Sequence, residues 1–468
     1  MKRLLAVLVL LAPLARAAEV TVYNSDLGLI KDVRPFDLKS GVSRLEVTEV
    51  AARIDPTSVH FKSLTAPEAV SVLEQDFQYD LVSQDKLLQR YLGKEIELER
   101  FLGRDGDRKE VVKGTLLSNS GGRVLQVGDK ILLNPPGNPV LPALPEGLLT
   151  RPTLVWKLRS TKAGEHQGEI SYLTGGLSWS ADYVLVVDKD DAKGDLNAWV
   201  TVVNNSGATY KDAKLKLVAG DVHRAPVAAV RGRFSPMAKM AMAAEMDDGM
   251  SEKSFFEYHL YSLGRPTTLA DNSSKQVEMA SAAGVPVKKL FVYDGVQGVQ
   301  WSSFYGEAYA DPGYGTASGK KVSVFFELQN KKSEGLGIPL PKGRVRVYKK
   351  DDDGSLQLAG EDAIDHTPKD EKVRVKMGEA FDVVGERKRT NFQSGKRWLE
   401  ETFEVRVRNH KETDAVVTVV EHLYRWTGWK VTDASQKWEK KDAQTIEFPV
   451  TVKKDGEAVV TYTVRYSW

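Results

Sequence analysis

No cysteine occurs anywhere in the 468 residues. That excludes disulfides, thiolate metal sites, a cysteine nucleophile and a lipid-modified N-terminal cysteine. Net charge is almost absent as well. Lys and Arg total 66 against 64 Asp and Glu, a balance that points to neither nucleic acid nor an anionic membrane surface as partner. Histidine is scarce, seven in all, and the chain lacks a phosphate loop, a dinucleotide fingerprint, a Gly-x-Ser-x-Gly elbow and a His-Glu-x-x-His pair. No cofactor is therefore expected. Long apolar runs are missing too, apart from one short stretch at the N-terminus, so no transmembrane span is expected in the mature chain.

That stretch reads as a signal peptide over residues 1–17. Lys2 and Arg3 form a basic head, Leu4 to Leu14 an apolar core, and Ala15-Arg16-Ala17 places small residues where a signal peptidase reads. Cleavage after Ala17 removes Lys2, Arg3 and Arg16 and moves the net charge from +2 to −1. The expected product is exported, periplasmic or secreted, and stabilised without disulfides.

What is present is alternation. Val20-Thr21-Val22-Tyr23 and Ser43 to Val47 repeat at the two-residue period of strands, with Asn24-Ser25-Asp26 and Lys39-Ser40-Gly41 as turns. One helix is predicted near 83–92, capped by Ser83, striped by Leu87, Leu88, Tyr91 and Leu92, and ended by Gly93. Closely spaced strands over 94–133 predict a small barrel and complete an N-terminal β-rich region, 18–150. Turn signals every 8–12 residues or so after Thr153 predict a β-sandwich over 151–334. An Ala/Met-rich insertion, 225–285, interrupts it and reads as disordered. A second sandwich follows over 335–468. The fold expected is mainly β: tandem β-sandwich domains with a small N-terminal barrel-like domain and one short helix.

Three groups of residues carry candidate chemistry. Glu361, Asp362, Asp365 and His366 lie in a polar connection, 361–370, where carboxylates suit a hard cation. They are the candidate metal ligands of a metal-assisted hydrolase. Trp426 and Trp429, near Tyr424, could form an aromatic platform for a sugar or a protein. Met237, Met240, Met242, Met246 and Met250 offer soft thioethers that suit Cu(I). Glu421 and His422 are adjacent, yet neighbours on a strand point to opposite faces and do not meet.

Several segments resemble a known family. They are Tyr172-Leu173-Thr174-Gly175-Gly176-Leu177-Ser178-Trp179-Ser180-Ala181-Asp182-Tyr183, Asn204-Asn205-Ser206-Gly207, Leu217 to Val222, Gly337-Ile338-Pro339-Leu340-Pro341-Lys342-Gly343 and Asn409-His410-Lys411. The chain resembles the bacterial domain-of-unknown-function family 4139, relatives of the mucoidy-inhibitor family. The resemblance implies a β-rich exported protein and brings no reaction. Trp179, Asp182 and Tyr183 join Trp426 and Trp429 as candidate binding residues. The function expected is non-enzymatic binding or assembly at the bacterial envelope, with an envelope protein or glycan as partner.

Overall fold

The computed structural model describes residues 18–102, 108–145, 148–220, 222, 250–299 and 308–468. The expected signal peptide and four of the five methionines of the run, Met237 to Met246, lie outside these residues.

The first half of the chain begins with β1 (Glu19–Tyr23), β2 (Leu27–Leu38), β3 (Gly41–Val47), β4 (His60–Ser63) and β5 (Val70–Gln78). Helix α1 (Gln84–Arg90) follows, and the Ser83 Oγ accepts the Lys86 N–H at 3.3 Å as its cap. It is the one α-helix among the described residues. Next come β6 (Glu95–Leu102), β7 (Arg108–Ser118), β8 (Val124–Val127), β9 (Lys130–Leu133) and β10 (Asn138–Val140). Then follow β11 (Thr153–Ser160), β12 (Gly164–Thr174), β13 (Leu177–Val187), β14 (Lys193–Asn204) and β15 (Tyr210–Ala219).

The second half holds β16 (Met250–Phe255), β17 (Tyr258–Leu263), β18 (Thr267–Leu269), β19 (Ser273–Asp294), β20 (Lys321–Gln329), β21 (Gly343–Lys350) and β22 (Leu356–Ile364). It ends with β23 (Lys372–Gly395), β24 (Trp398–Asn409), β25 (Ala415–His422), β26 (Trp429–Ala434), β27 (Glu439–Lys440), β28 (Thr445–Val452) and β29 (Gly456–Ser467). No helix among the described residues is long and apolar enough to cross a membrane.

The chain forms two compact units. Unit 1 comprises Met1–Ser178, Val203–Val218 and Ser262–Lys275; unit 2 comprises Trp179–Val202, Ala219–Tyr261 and Gln276–Trp468. This division differs from the expected boundaries at 150 and 334, because strand pairing joins segments distant in sequence. Residues 214–218, for example, lie parallel to residues 19–23.

In unit 1, β1 pairs with β15 and β2, and β2 continues through β12 to β4. A second sheet, β3-β11-β5, buries Trp156, whose Nε1–H donates to the Gln75 side-chain oxygen at 2.8 Å. The Phe36, Phe61 and Trp156 rings follow one another at 5.9 and 5.3 Å. Residues 94–133 do not close a barrel. Together with residues 138–140 they form an open five-stranded sheet, β10-β6-β7-β8-β9, whose two edge strands do not pair with each other. One face buries Ile96, Leu98, Leu116 and Leu125 against Leu88 and Tyr91 of the helix, which does what closure would otherwise do.

Unit 2 is organised by two long strands. β19 runs 22 residues and its C-terminal part pairs with β20 and β25, while β23 runs 24 residues and pairs with β20 and then β24. The C-terminal sandwich packs β24 and β29 residues such as Phe403, Val405, Val460 and Tyr462 against β25 and β28 residues such as Val417, Val419, Phe448 and Val450. The expected disorder over 225–285 is overturned for residues 250–285, which form β16, β17, β18 and part of β19. Their alternating burial, with Leu260, Val277 and Met279 inward, supplies the core contacts that composition alone did not suggest.

A buried asparagine recurs at strand ends. Asn204 Nδ2 donates to the carbonyls of Ala208, Leu269 and Ala270, and its Oδ1 accepts the Ser206 N–H. Asn409 repeats the pattern: Nδ2 to Thr413, Val452 and Lys453 carbonyls, and Oδ1 from the Lys411 N–H. Asn330 bridges Ile338 and Pro368 carbonyls and accepts from Gly337. Each side chain ties a strand end both to its own following turn and to one distant chain segment by satisfying buried backbone groups. Asn409→Ala should orphan those groups and lower stability by about 1–3 kcal/mol in denaturant unfolding, whereas exposed Asn391→Ala should stay within about 0.5 kcal/mol.

Candidate functional site

The expected metal ligands do not converge. Glu361 and Asp362 belong to β22, so the polar connection is strand as far as Ile364. Glu361 pairs with Arg346 at 2.8 Å and Arg344 at 3.8 Å. Asp362 accepts the backbone N–H groups of Ala363 and Lys376. The Asp365 carbonyl accepts the Thr367 hydroxyl, and His366 Nδ1 accepts the Lys342 N–H at 3.2 Å. Among the described residues no group of three or more His, Asp or Glu is gathered as a metal would need.

The binding candidates Trp179, Asp182 and Tyr183 lie on β13 and seat the proline segment 337–343 of unit 2. Two prolines there donate nothing, and buried side chains supply donors to the carbonyls. Tyr183 Oη donates to Pro341 O at 2.7 Å and Tyr261 Oη to Pro339 O at 2.8 Å. Burial pushes both tyrosine hydroxyls well above their usual range. Trp179 lies edge-on to Tyr261, with ring centroids 6.3 Å apart. Asp182 accepts the Thr201 hydroxyl and pairs with Arg344, both at 3.3 Å. Trp426 and Trp429 are half-buried against the C-terminal core, and Trp429 Nε1–H donates to Ala443 O at 2.9 Å. Structure thus separates the five candidates into two places.

The most concentrated chemistry lies elsewhere, inside the C-terminal sandwich. Arg387 on β23 meets Glu421 on β25: its Nε lies 3.0 and 2.9 Å from the two carboxylate oxygens. Tyr462 on β29 donates its hydroxyl to the same carboxylate at 2.5 Å. Burial works to lower the Arg387 pKa, yet the facing Glu421 charge holds it well above the ordinary arginine value. Its guanidinium also stacks 3.8 Å over the Phe403 ring. Beside this pair, Arg425 Nε lies 2.7 Å from Glu401 on β24, and Arg389 reaches the same carboxylate at 3.1 Å. Glu401, Glu421 and Arg425 are fully buried.

These guanidiniums hold a loop. Arg425 donates to the carbonyls of Tyr309, Asp311 and Tyr314, and Arg387 and Tyr424 both donate to Gly315 O. Tyr293 Oη donates to Gly319 O at 2.7 Å. Five carbonyls between 309 and 319 therefore point inward, and the half-buried Tyr309 and Tyr314 rings stack at 4.8 Å. Gly315 lies at φ 69°, and a Cβ there would come within 2.2 Å of the Tyr424 ring. Gly315→Ala should cost about 2 kcal/mol or more and speed amide exchange over 309–319, since both the left-handed backbone and the ring contact oppose it.

Chemically, each carboxylate is taken up by guanidinium groups and shielded from solvent. The arrangement fixes backbone rather than presenting a free base. Sequence reading missed it because it weighed charges by proximity along the chain. A usable signal exists: Glu401 falls in the inward phase of Leu399, Phe403, Val405 and Val407, and Glu421 in that of Val417 and Val419. Glu421 and His422 indeed part company, His422 Nε2 lying 3.0 Å from Asp294.

A family model described as Domain of unknown function (DUF4139) matches residues 169–468. No curated protein and no solved structure matches the chain.

Proposed function

Because this chain belongs to the DUF4139 family through residues 169–468, a family without an assigned reaction, we propose that it is a non-enzymatic binding or assembly protein of the bacterial envelope. The observation that carries this reading is the buried Arg425–Glu401 and Arg387–Glu421 network spent on one loop. Burying ion pairs is costly relative to apolar packing, so such a network is justified by the geometry it specifies. Here it specifies a rigid loop bearing Tyr309, Asp311 and Tyr314, and rigid aromatic side chains lose little entropy on binding. The alternating sandwich strands and the signal-peptide pattern at 1–17 support export of a β-rich scaffold that carries this loop.

Fractionation of cells making the full-length protein, followed by co-sedimentation of the purified protein with isolated envelope material, tests this. The processed protein should be outside the cytoplasm and sediment with the envelope. Tyr309→Ala with Tyr314→Ala should weaken that binding about tenfold or more while circular dichroism shows the protein still folded. Cytoplasmic retention overturns export, and undiminished sedimentation of the double variant overturns the role of the loop. Stoichiometric metal with hydrolysis lost in Asp365→Ala and His366→Ala would replace the reading with a metal-assisted hydrolase.

A further inference from the structure

The five-stranded sheet of unit 1 has two very different edges. β10 is three residues long and carries Pro139, two devices that discourage pairing. β9 pairs only with β8 among the described residues, in the unbroken register Val124↔Leu133, Leu125↔Leu132, Gln126↔Ile131 and Val127↔Lys130. It has no proline and no bulge, and its one charge, Lys130, stands at the turn.

Alternation sets its side chains. Leu132 shares the helix-covered face with buried Leu125, so Ile131 and Leu133 lie on the opposite face, 62% and 75% exposed. The sheet neighbours on that face near them, Val124 and Gln126, are uncharged. Charges on the same face lie towards β6 and β7: Lys113 pairs with Glu97 and Lys109 with Glu99, each at 2.7 Å, and exposed Glu95 on β6 is separated from β9 by β7 and β8. An open strand edge of this kind, apolar beyond Lys130, takes another strand, not a charged ligand.

We propose that β9 pairs antiparallel with β9 of a second copy of this chain. One register makes the edge self-complementary. With the two-fold axis at Leu132, Ile131 of each copy faces Leu133 of the other, and Lys130 faces Asn134. Four apolar side chains then form one cluster across the axis, as an isologous interface requires. Moving the axis to Ile131 instead sets Asp129 against Leu133 and Lys130 against Leu132. A second copy is preferred over a foreign strand because its own side chains answer every position of this edge.

Sedimentation velocity of the full-length protein over a range of concentrations tests the proposal. A ladder this short makes a small interface, so a dimer with Kd of roughly 1–100 µM is expected. Ile131→Lys with Leu133→Lys should weaken it at least ~100-fold with unchanged circular dichroism. The absence of cysteine allows a second measurement that does not depend on those lysines. Leu132→Cys should give a disulfide-linked dimer under mild oxidation, because both copies place it on the axis, whereas Lys130→Cys should not. A wild-type protein that stays monomeric to about 500 µM, five times the weakest expected Kd, overturns the proposal. So does a dimer indifferent to the lysine pair, or equal cross-linking of the two cysteine variants.

Discussion

Raising the pH from about 9 to about 11 is expected to unfold unit 2 before unit 1. In unit 2 the hydroxyls of Tyr183, Tyr261, Tyr293, Tyr462 and Tyr466 are all held well above the ordinary tyrosine value, chiefly by burial. Nearby carboxylates reinforce this: Glu252 at Tyr261, Glu421 at Tyr293 and Tyr462, and Glu401 at Tyr466. A folded pKa above the unfolded one means the folded state keeps a proton that the unfolded chain releases. The stabilisation is complete below the unfolded pKa of about 10 and is lost as pH rises beyond it.

At about pH 11 each such tyrosine withdraws about 1.4 kcal/mol, so the five together remove about 7 kcal/mol, comparable with the whole stability of a domain. In unit 1 Tyr172 is pushed up to about 12 and Tyr210 is also raised, both mainly by burial. Those two should remove about 3 kcal/mol at the same pH. Among the described residues Trp156 is the tryptophan of unit 1 and the others belong to unit 2, so tryptophan emission chiefly follows unit 2. Emission and tyrosinate absorbance should change together, ahead of the final loss of circular dichroism. Gradual tyrosinate formation with no loss of structure would show that these hydroxyls are accessible in the folded state.

Glu421→Ala is expected to lower the stability of unit 2 by about 3–5 kcal/mol, because it leaves the Arg387 guanidinium buried without its counter-charge. The Tyr462 hydroxyl loses its acceptor in the same step. Replacing both partners, Arg387→Met with Glu421→Leu, should recover most of that stability, since two apolar side chains remove the uncompensated charge. The loop should not recover with it. Gly315 O keeps only the Tyr424 donor in the double variant, so exchange over 309–319 should stay fast while global unfolding returns towards wild type. Equal protection of the loop in wild type and double variant would show that the buried charges do not serve to fix it.

Much of the architecture was legible in local pattern. Ser83, Leu88 and Tyr91 announced the helix, and the alternation of Val20 to Tyr23 and of Ser43 to Val47 announced strands. Strand period and capping are properties of neighbouring residues, so they survive in a linear reading. The Ala-rich middle of β19 misled it, because Ser281-Ala282-Ala283 carries little strand propensity. Residues 94–133 were read as closed for a related reason: strand spacing shows how many strands there are, not whether the first and last of them meet.

By itself, the sequence determined the strand-rich class, the helix near 83–92 and the absence of thiol chemistry, and it carried, unread, the inward phase of Glu401 and Glu421. Tertiary structure alone decided what those charges meet. Arg387 lies 34 residues from Glu421, Glu421 lies 41 from Tyr462, and Arg425 lies 116 from the Tyr309 carbonyl it holds. Each contact depends on which strands pair and in what register. Register follows from the packing of a whole face and not from any local run of residues.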